Sequence, residues 1–305
     1  MRRIYAMTID FETLRNWHFP EMRHSFTRRD TILYALGVGL GTPSIDEAQL
    51  PFVYEEQLHA LPTMATVIGY RGFWLKDPAT GVDWKQVLHG EHAIRFHAPL
   101  PVEGEVISRQ YVSALIDKGE GRGAVLSLTR EIRTEDDMPL ATIEHVSLLR
   151  GDGGFGQSFG TVRSLPPIPD RMADEVVTLQ MSDRAALIYR LSGDYNPLHI
   201  DPEVARAAGF PRPIAHGLCT YGLVGHAVLR AGCAYRTELL HSLAGRFSAP
   251  VYPGETIQVE LWRTDDTLAV RATALERKVV VFDRGLAQIG ITAEEDGVMQ
   301  MAQAI

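Results

Sequence analysis

The sequence predicts an α+β fold built from two related halves, each a buried helix followed by antiparallel strands that wrap it. Three observations predict this. Two stretches recur in the same order about half a chain apart. The segment IAHGLCTYGLVGHAVLRAG (214–232) is apolar on nearly every face, as a helix buried all round must be. After it come alternating runs separated by turn residues, the pattern of half-buried strands.

The repeat is read first. Residues 95–107, RFHAPLPVEGEVI, match residues 246–257, RFSAPVYPGETI, at an offset of 151 (246 − 95) that slips to 150 (254 − 104) at Gly104 and Gly254. Upstream, LYALGVG (33–39) matches IYRLSGD (188–194) at an offset of 155 (188 − 33), pairing Tyr34 with Tyr189. Coincidence between two Pro-Gly turns is the alternative, and the second match in the same order weighs against it. The period is far too long for a solenoid repeat. Between the halves, GDGGFGQSFGTVRSLPPIPDR (151–171) has the glycine, serine and proline density of a connector. The expected domains are therefore 1–158 and 159–305.

Elements follow in chain order. In the first half, LPTMATVIGY (61–70) reads as a shorter helix, and EHAIRFHAPL, VISRQYVSALIDK, GAVLSLTREIRTE and LATIEHVSLLR as strands. In the second, SDRAALIYRLSG offers Ser182 as N-cap and Gly193 as the residue past the helix end. DPEVARAAGF places Asp201 as N-cap, Pro202 at the first helical position and Gly209 as the stop. The apolar helix runs to Gly232. HSLAGRFSAPV, ETIQVELWRTD, TLAVRATALERK and VVVFDRGLAQIGI then read as strands. Each half needs the other to cover its exposed sheet edge.

Composition narrows the function. The 305 residues are 45% hydrophobic and 22% charged, ordinary for a globular chain. A net charge of −8 gives no general attraction to phosphate backbones, so no nucleic-acid partner is expected. The two cysteines, Cys219 and Cys233, make neither a four-thiolate zinc site nor a disulfide scaffold, and a reduced, cytoplasmic setting is expected. The start, MRRIYAMTIDFETL, has no apolar run after its arginines, so neither a signal peptide nor a membrane anchor is expected. The end, MAQAI, carries no receptor-read address of the usual kinds.

Chemistry concentrates in YRLSGDYNPLHIDP (189–202). On an ideal helix, residues five apart diverge by about 140°, so Asp194 and His199 would face different ways. Gly193 and Pro197 make a continuous helix improbable, and a bent loop can turn both side chains to one point. Alone, an Asp-x-x-x-x-His is more often a turn-former beside a cap than an acid–base pair. The neighbouring AHGL (215–218) shifts that balance. It opens the apolar helix, whose first amides are unpaired and lie at its positive end, and Gly217 lets a carbonyl approach closely. A base, an acid and an oxyanion donor in one segment suit chemistry beside a carbonyl: water addition, or proton transfer at the α-carbon. No nucleophile stands out. Ser192 has no adjacent base and there is no G-x-S-x-G elbow. Cys219, despite its place near a helix N-terminus, and His216 read as structural. The histidines show no close metal-ligand spacing, and neither a P-loop nor a dinucleotide fingerprint is present.

YRLSGDYNPLHIDPEVARAAGFPRPIAHGL closely resembles the signature of the (R)-specific enoyl-CoA hydratases, the MaoC-like or hydratase 2 family. RRDTILYALGVG, LPTMATVIGY, VLHGEHAIRF, IDKGEGRG, GDGGFG and RFSAPVYPGETI extend the likeness over most of the chain. They match the two-repeat form found in the hydratase 2 unit of peroxisomal multifunctional enzyme type 2. The resemblance implies a double hotdog fold, two repeats each with a long central helix wrapped by an antiparallel sheet. It implies that Asp194 and His199 hold the catalytic water, that Asn196 positions them, and that the Gly217 N–H receives the thioester oxygen. It further implies acyl-CoA contacts at His89, Gly90, Lys118, Tyr195, Pro197, Leu198 and Phe247. Lys118 and Arg122 are cations on a glycine-rich turn, suited to CoA phosphates, although such a turn is otherwise an ordinary hairpin. The alternatives are core packing beside Pro250 for Phe247 and a polar helix end next to Gly90 for His89.

The activity implied is reversible hydration of a trans-2-enoyl-CoA to the (3R)-3-hydroxyacyl-CoA, with no metal and no cofactor beyond the CoA of the substrate. A hotdog acyl-CoA thioesterase and a non-catalytic acyl-CoA binding module are the alternatives. On the 155-residue offset Asp194 corresponds to Gly39 and His199 to Ser44, so the first half lacks the pair and is expected to supply an acyl cavity around residues such as Leu61, Met64 and Phe73. Two repeats in one chain already cover each other, so a monomer suffices and a homodimer is compatible.

Overall fold

Residues 9–41 and 46–290 are described by this structure, a computed structural model of the chain. The first eight residues, the last fifteen and Ser44 lie outside the described residues. The segment MAQAI and the first eight residues of MRRIYAMTIDFETL, for which no address, signal peptide or anchor is expected, therefore lie outside them.

The first half opens with α1 (Phe11–Arg15), capped by the Asp10 carboxylate, which accepts from the Thr13 amide. β1 (Met22–Phe26) leads into α2 (Arg28–Gly37), where the Thr27 amide donates to Asp30 at 2.8 Å. After α3 (Leu50–Val53) come four long strands: β2 (Val87–Phe96), β3 (Gly104–Asp117), β4 (Ala124–Thr134) and β5 (Pro139–Leu149). A two-residue β6 (Ser158–Phe159) pairs with β3. The second half contains β7 (Glu175–Gln180), α4 (Ala185–Tyr189), α5 (Pro202–Ala207) and α6 (Gly217–Cys233). It ends in β8 (Leu240–Phe247), β9 (Thr256–Thr264), β10 (Thr267–Ala274) and β11 (Val279–Ile289).

All the strands share one sheet in the order β1-β3-β4-β5-β2-β8-β11-β10-β9-β7, and every pairing is antiparallel. The order is symmetric about the β2–β8 seam. Ala93 pairs with Ala244 there, and 244 − 93 = 151, the offset of the repeat. Two residues related by the duplication are thus hydrogen-bonding neighbours, and a pseudo-two-fold axis runs between them. The aligned tyrosines meet as well: Tyr34 on α2 and Tyr189 on α4 are both buried, with ring centroids 5.9 Å apart. Each half covers the sheet edge that the other would expose.

The second repeat has the expected long helix. In α6, thirteen of seventeen residues are buried, and Ala234 ends it in the left-handed region. The first repeat corrects the expectation of a long helix in each half. Residues Pro62–Thr66 make only a buried 3₁₀ turn. Two β-branched threonines in this short run weaken the helix. The chain turns away at Gly69, at φ +63°, where a side chain would not fit because its Cβ would lie 2.5 Å from Ser108 Cβ. Helix starts shift too. Ser182 accepts from the Arg184 amide, but α4 begins only at Ala185. Asp201, Pro202 and Gly209 hold the places expected for them, with Asp201 accepting from Glu203 and Val204.

Candidate active site

The loop between α4 and α5 is a staircase of side-chain turns. Gly193 takes φ +118°, which ends the helical approach. Asp194 Oδ1 accepts from the Asn196 amide at 3.2 Å, and Asn196 Oδ1 accepts from the Leu198 amide at 3.2 Å. Asn196 thereby caps a single 3₁₀ turn over Pro197–His199, with Pro197 at its first position. Local side-chain bonds of this kind compete with helix, and here they bend the chain. The bend turns His199 inward, where it is buried, while Tyr195 stays exposed under the Arg190 guanidinium, 4.9 Å from its ring.

Asp194, His199 and His216 converge: one oxygen or ring nitrogen from each lies within 4.8 Å of the others. A single water with two bonds of about 2.8 Å spans that distance. The tautomers follow from the acceptors. His199 Nδ1 lies 2.9 Å from the Ile214 carbonyl, which can only accept, so Nδ1 carries the hydrogen and Nε2 presents a lone pair. His216 Nε2 likewise donates to the Asp194 backbone carbonyl at 3.1 Å, and its Nδ1 is buried without a partner. The two imidazole rings lie 3.8 Å apart. Burial pushes the His199 pKa below the ordinary imidazole value, opposed by its bond to Ile214 and by the Asp194 charge. Burial and the neighbouring His199 bring His216 down to about 4. Both rings are therefore neutral at pH 7. His216, which reads as structural in the sequence, belongs to this cluster, and only the fold shows it.

Gly217 is the first residue of α6 and is exposed, so its amide has no partner within the helix. Phe247, at the end of β8, packs beside it: a Cβ on Gly217 would lie 3.7 Å from the ring. His89 on β2 lies 4.6 Å from Phe247 and stacks on His145 at 3.7 Å. Gly90 is a β-bulge between His89 and Glu91, and a Cβ there would meet Leu148 Cγ at 2.9 Å. The structure thus brings Asp194, Asn196, His199, Gly217, Phe247 and His89 into one continuous region. Lys118 stands apart. It sits exposed in the β3–β4 turn, three strands from His89 and so about 14 Å away across the sheet. Cys219 is core. Its thiol donates to the Gly37 carbonyl, and burial raises its pKa to about 12 rather than lowering it.

A cavity lies beside this region, in the first repeat. Leu218, beside Gly217, lines it, as do Phe73, Trp74, Leu126, Tyr70 and Arg130. Leu61 and Met64, expected at its wall, are buried in the core instead. Tyr70, Arg130 and His145 have no distinguishing spacing in the sequence, so no local signal could have found them.

Comparison with known proteins identifies the family. Residues 165–283 match the MaoC like domain, and residues 24–151 match the MFE-2 hydratase 2 N-terminal domain. The chain is 40% identical over 274 residues to 3-hydroxyacyl-thioester dehydratase Y of Mycobacterium tuberculosis, covering 86% of this chain and 92% of that protein. It is 36% identical over 260 residues to the peroxisomal enoyl-CoA hydratase 2 of Arabidopsis thaliana, covering 80% and 84% respectively. The crystal structure of a MaoC-like dehydratase from Phytophthora capsici superposes with a TM-score of 0.83 at 29% identity, covering 93% of this chain and all of that one. A Mycobacterium tuberculosis protein with a double hotdog fold shares the architecture at a TM-score of 0.51 and 16% identity, covering 88% of this chain and 93% of that one. The chain belongs to the MaoC-like hydratase 2 family of hydro-lyases, in its two-repeat, double hotdog form.

Proposed function

We propose that the chain adds water reversibly across the double bond of a trans-2-enoyl-CoA, giving the (3R)-3-hydroxyacyl-CoA. The observation that carries this reading is the convergence of a carboxylate and a neutral imidazole with a free lone pair, within one water's span, beside an open helix N-terminus.

In this mechanism the thioester oxygen accepts from the Gly217 N–H, at the positive end of α6. That donor stabilises the enolate charge that develops as oxygen adds at C3, a contribution of about 3–4 kcal/mol. Water is held between Asp194 and His199 Nε2. As the C3–O bond forms, the pair takes one proton from water and returns one to C2, so it ends each turnover as it began. Asp194 favours the transient imidazolium by its charge. Asn196 fixes the turn that aims both groups, and His216 positions the loop through the Asp194 carbonyl. His89 and Phe247 flank the thioester, and Lys118 waits at the rim for a CoA phosphate. The reaction as proposed uses no metal and no redox step. The first repeat, which lacks the pair, supplies the acyl cavity. With only two cysteines in the chain, Cys219 and Cys233, a reducing compartment such as the cytoplasm fits this reading.

The test is loss of the enoyl-thioester absorbance of crotonyl-CoA, with product chirality measured and free CoA followed by a thiol reagent. Asp194→Ala and His199→Ala should each lower kcat by roughly 10²–10⁴-fold while the circular dichroism spectrum is unchanged. Near-normal turnover in either variant refutes the assignment. Release of CoA without hydration makes the chain a thioesterase, and binding without turnover makes it a binding module.

A further inference from the structure

The cavity in the first repeat contains a cation with no counter-ion. Arg130, on β4, is 5% exposed and lines the cavity wall. Its Nη2 donates to the carbonyls of Ala65 and Thr66 at 3.2 and 2.6 Å, and its Nε is buried with no partner. Among the described residues, no carboxylate pairs with it; the groups that favour its charge are the phenols of Tyr70 and Tyr189. Burial lowers its pKa to about 10, so it stays charged at pH 7. An isolated buried charge is costly, and buried charges are normally paired.

The same wall carries further polar groups. His92 is 2% exposed with both ring nitrogens unpartnered. Gln110 pairs with Arg130 across β3–β4, and His145 and Ser147 also line the space. The remaining walls, including Phe73, Leu126 and Leu218, are apolar. Apolar walls with a few convergent polar groups are the usual make-up of a specific small-molecule site. Leu218, next to Gly217, and His145, stacked on His89, join this wall to the reaction centre.

A metal ion is the other occupant that His89, His92 and His145 suggest, since their ring nitrogens lie within 4.8 Å of one another. Arg130 argues against it. Its fixed positive charge already disfavours protonation of His92 and His145, and it would oppose a divalent cation in the same way. An anion is what the wall lacks.

We propose that the cavity accepts an enoyl thioester whose acyl chain bears a carboxylate, with Arg130 as its counter-ion and His92 and Gln110 as hydrogen-bond partners. This rests on the hydration proposed above and adds its substrate class. Arg130 sets specificity by pairing with the far part of the acyl group, away from the reacting carbons.

The experiment compares length-matched trans-2-enoyl-CoA thioesters, one ending in a methyl and one in a carboxylate, by kcat/KM on the full chain. The wild type should favour the carboxylate member of the best pair by more than about tenfold. Arg130→Gln should erase that ratio, and Arg130→Lys should keep part of it. A wild type that prefers the methyl member at every length overturns the proposal. So does an Arg130→Gln protein with an unchanged ratio, since a purely structural arginine would leave selectivity alone. The wild-type comparison needs no variant, so an Arg130→Gln chain that fails to fold leaves the test intact. Binding of the same pairs to Asp194→Asn protein, by calorimetry, decides the pocket without turnover. If neither thioester is hydrated but the carboxylate member binds more tightly, the hydration reading falls and the anion site stands.

Discussion

At the scale of single residues, the proposed hydration depends on one imidazole kept neutral and aimed. The Ile214 carbonyl fixes the His199 tautomer, and burial keeps the ring unprotonated below the ordinary value of 6.5. A neutral base works until it is protonated. The acid limb of kcat/KM for crotonyl-CoA should therefore fall below pH 6.5, and an acid limb centred above that value would contradict the assignment. Gly217 gives a second check. The atoms nearest to a Cβ there belong to the Phe247 ring, at an ordinary contact distance of 3.7 Å, so Gly217→Ala should fold with little change in thermal midpoint. The methyl would stand beside the donor amide, and kcat should drop by at least about tenfold, part of the 10²–10³-fold cost of losing an oxyanion donor. The nearness of Asp194, His199 and Gly217 is legible in the sequence because one short segment carries them all, while Asn196 enters only through the resemblance and its turn bond appears only in the fold. Tyr70, Arg130 and His145 are not legible there. They come from the other repeat and meet the loop only through tertiary packing, so no spacing along the chain records them.

At the scale of elements, the two repeats differ in what fills the space under the sheet. In the second, α6 fills it. Gly222 and Gly225 let the first half approach that helix: a Cβ on Gly222 would lie 2.5 Å from Val38 Cγ1, and one on Gly225 would lie 2.5 Å from Thr63 Cγ2. In the first repeat a 3₁₀ turn stands in place of the helix, and the space beyond Thr66 is cavity. The space where a helix is missing is where the proposed acyl group would lie. Gly225→Val should overpack this contact and cost roughly 1–3 kcal/mol, read as a lower urea midpoint at unchanged slope. No loss of stability would mean that Thr63 and its turn are free to move. Strands β2–β5, β8–β11 and helix α6 could be read from alternation and all-round apolarity. Short β1 and β7 could not. Each is an edge strand, half exposed, with too few residues to show a period.

At the scale of the whole molecule, the duplication provides a frame on which one copy can keep the chemistry and the other can change. The β2–β8 seam holds the copies together, and the site spans it, with His89 from one side and Phe247 from the other. The interior of this frame carries an unusual load of neutral imidazoles. Burial holds His89 and His92 well below the ordinary value and brings His145, His216 and His226 to about 4. Arg130 faces His92 and His145, while Arg190, His199 and Asp194 face His216, and Arg230 and Asp46 face His226. For each of these groups the folded pKa is lower than the unfolded one. Above pH 6.5 both states are neutral and the groups leave stability unaffected. As pH falls below 6.5 the unfolded chain takes up protons first, which favours unfolding by up to about 1.4 kcal/mol per unit of depression per group. The loss levels off only below pH 4, once the folded rings protonate as well. Carboxylates, with unfolded values near 4, contribute little between pH 6.5 and 5. The thermal midpoint should therefore be flat above pH 6.5 and fall steadily from there to pH 5. His226→Gln lies outside the proposed site and removes one such group, so it should make that slope shallower. A midpoint that stays level from pH 6.5 to 5 would mean these rings are solvated in the folded protein. The neutral lone pair assigned to His199 would then lose its physical basis as well.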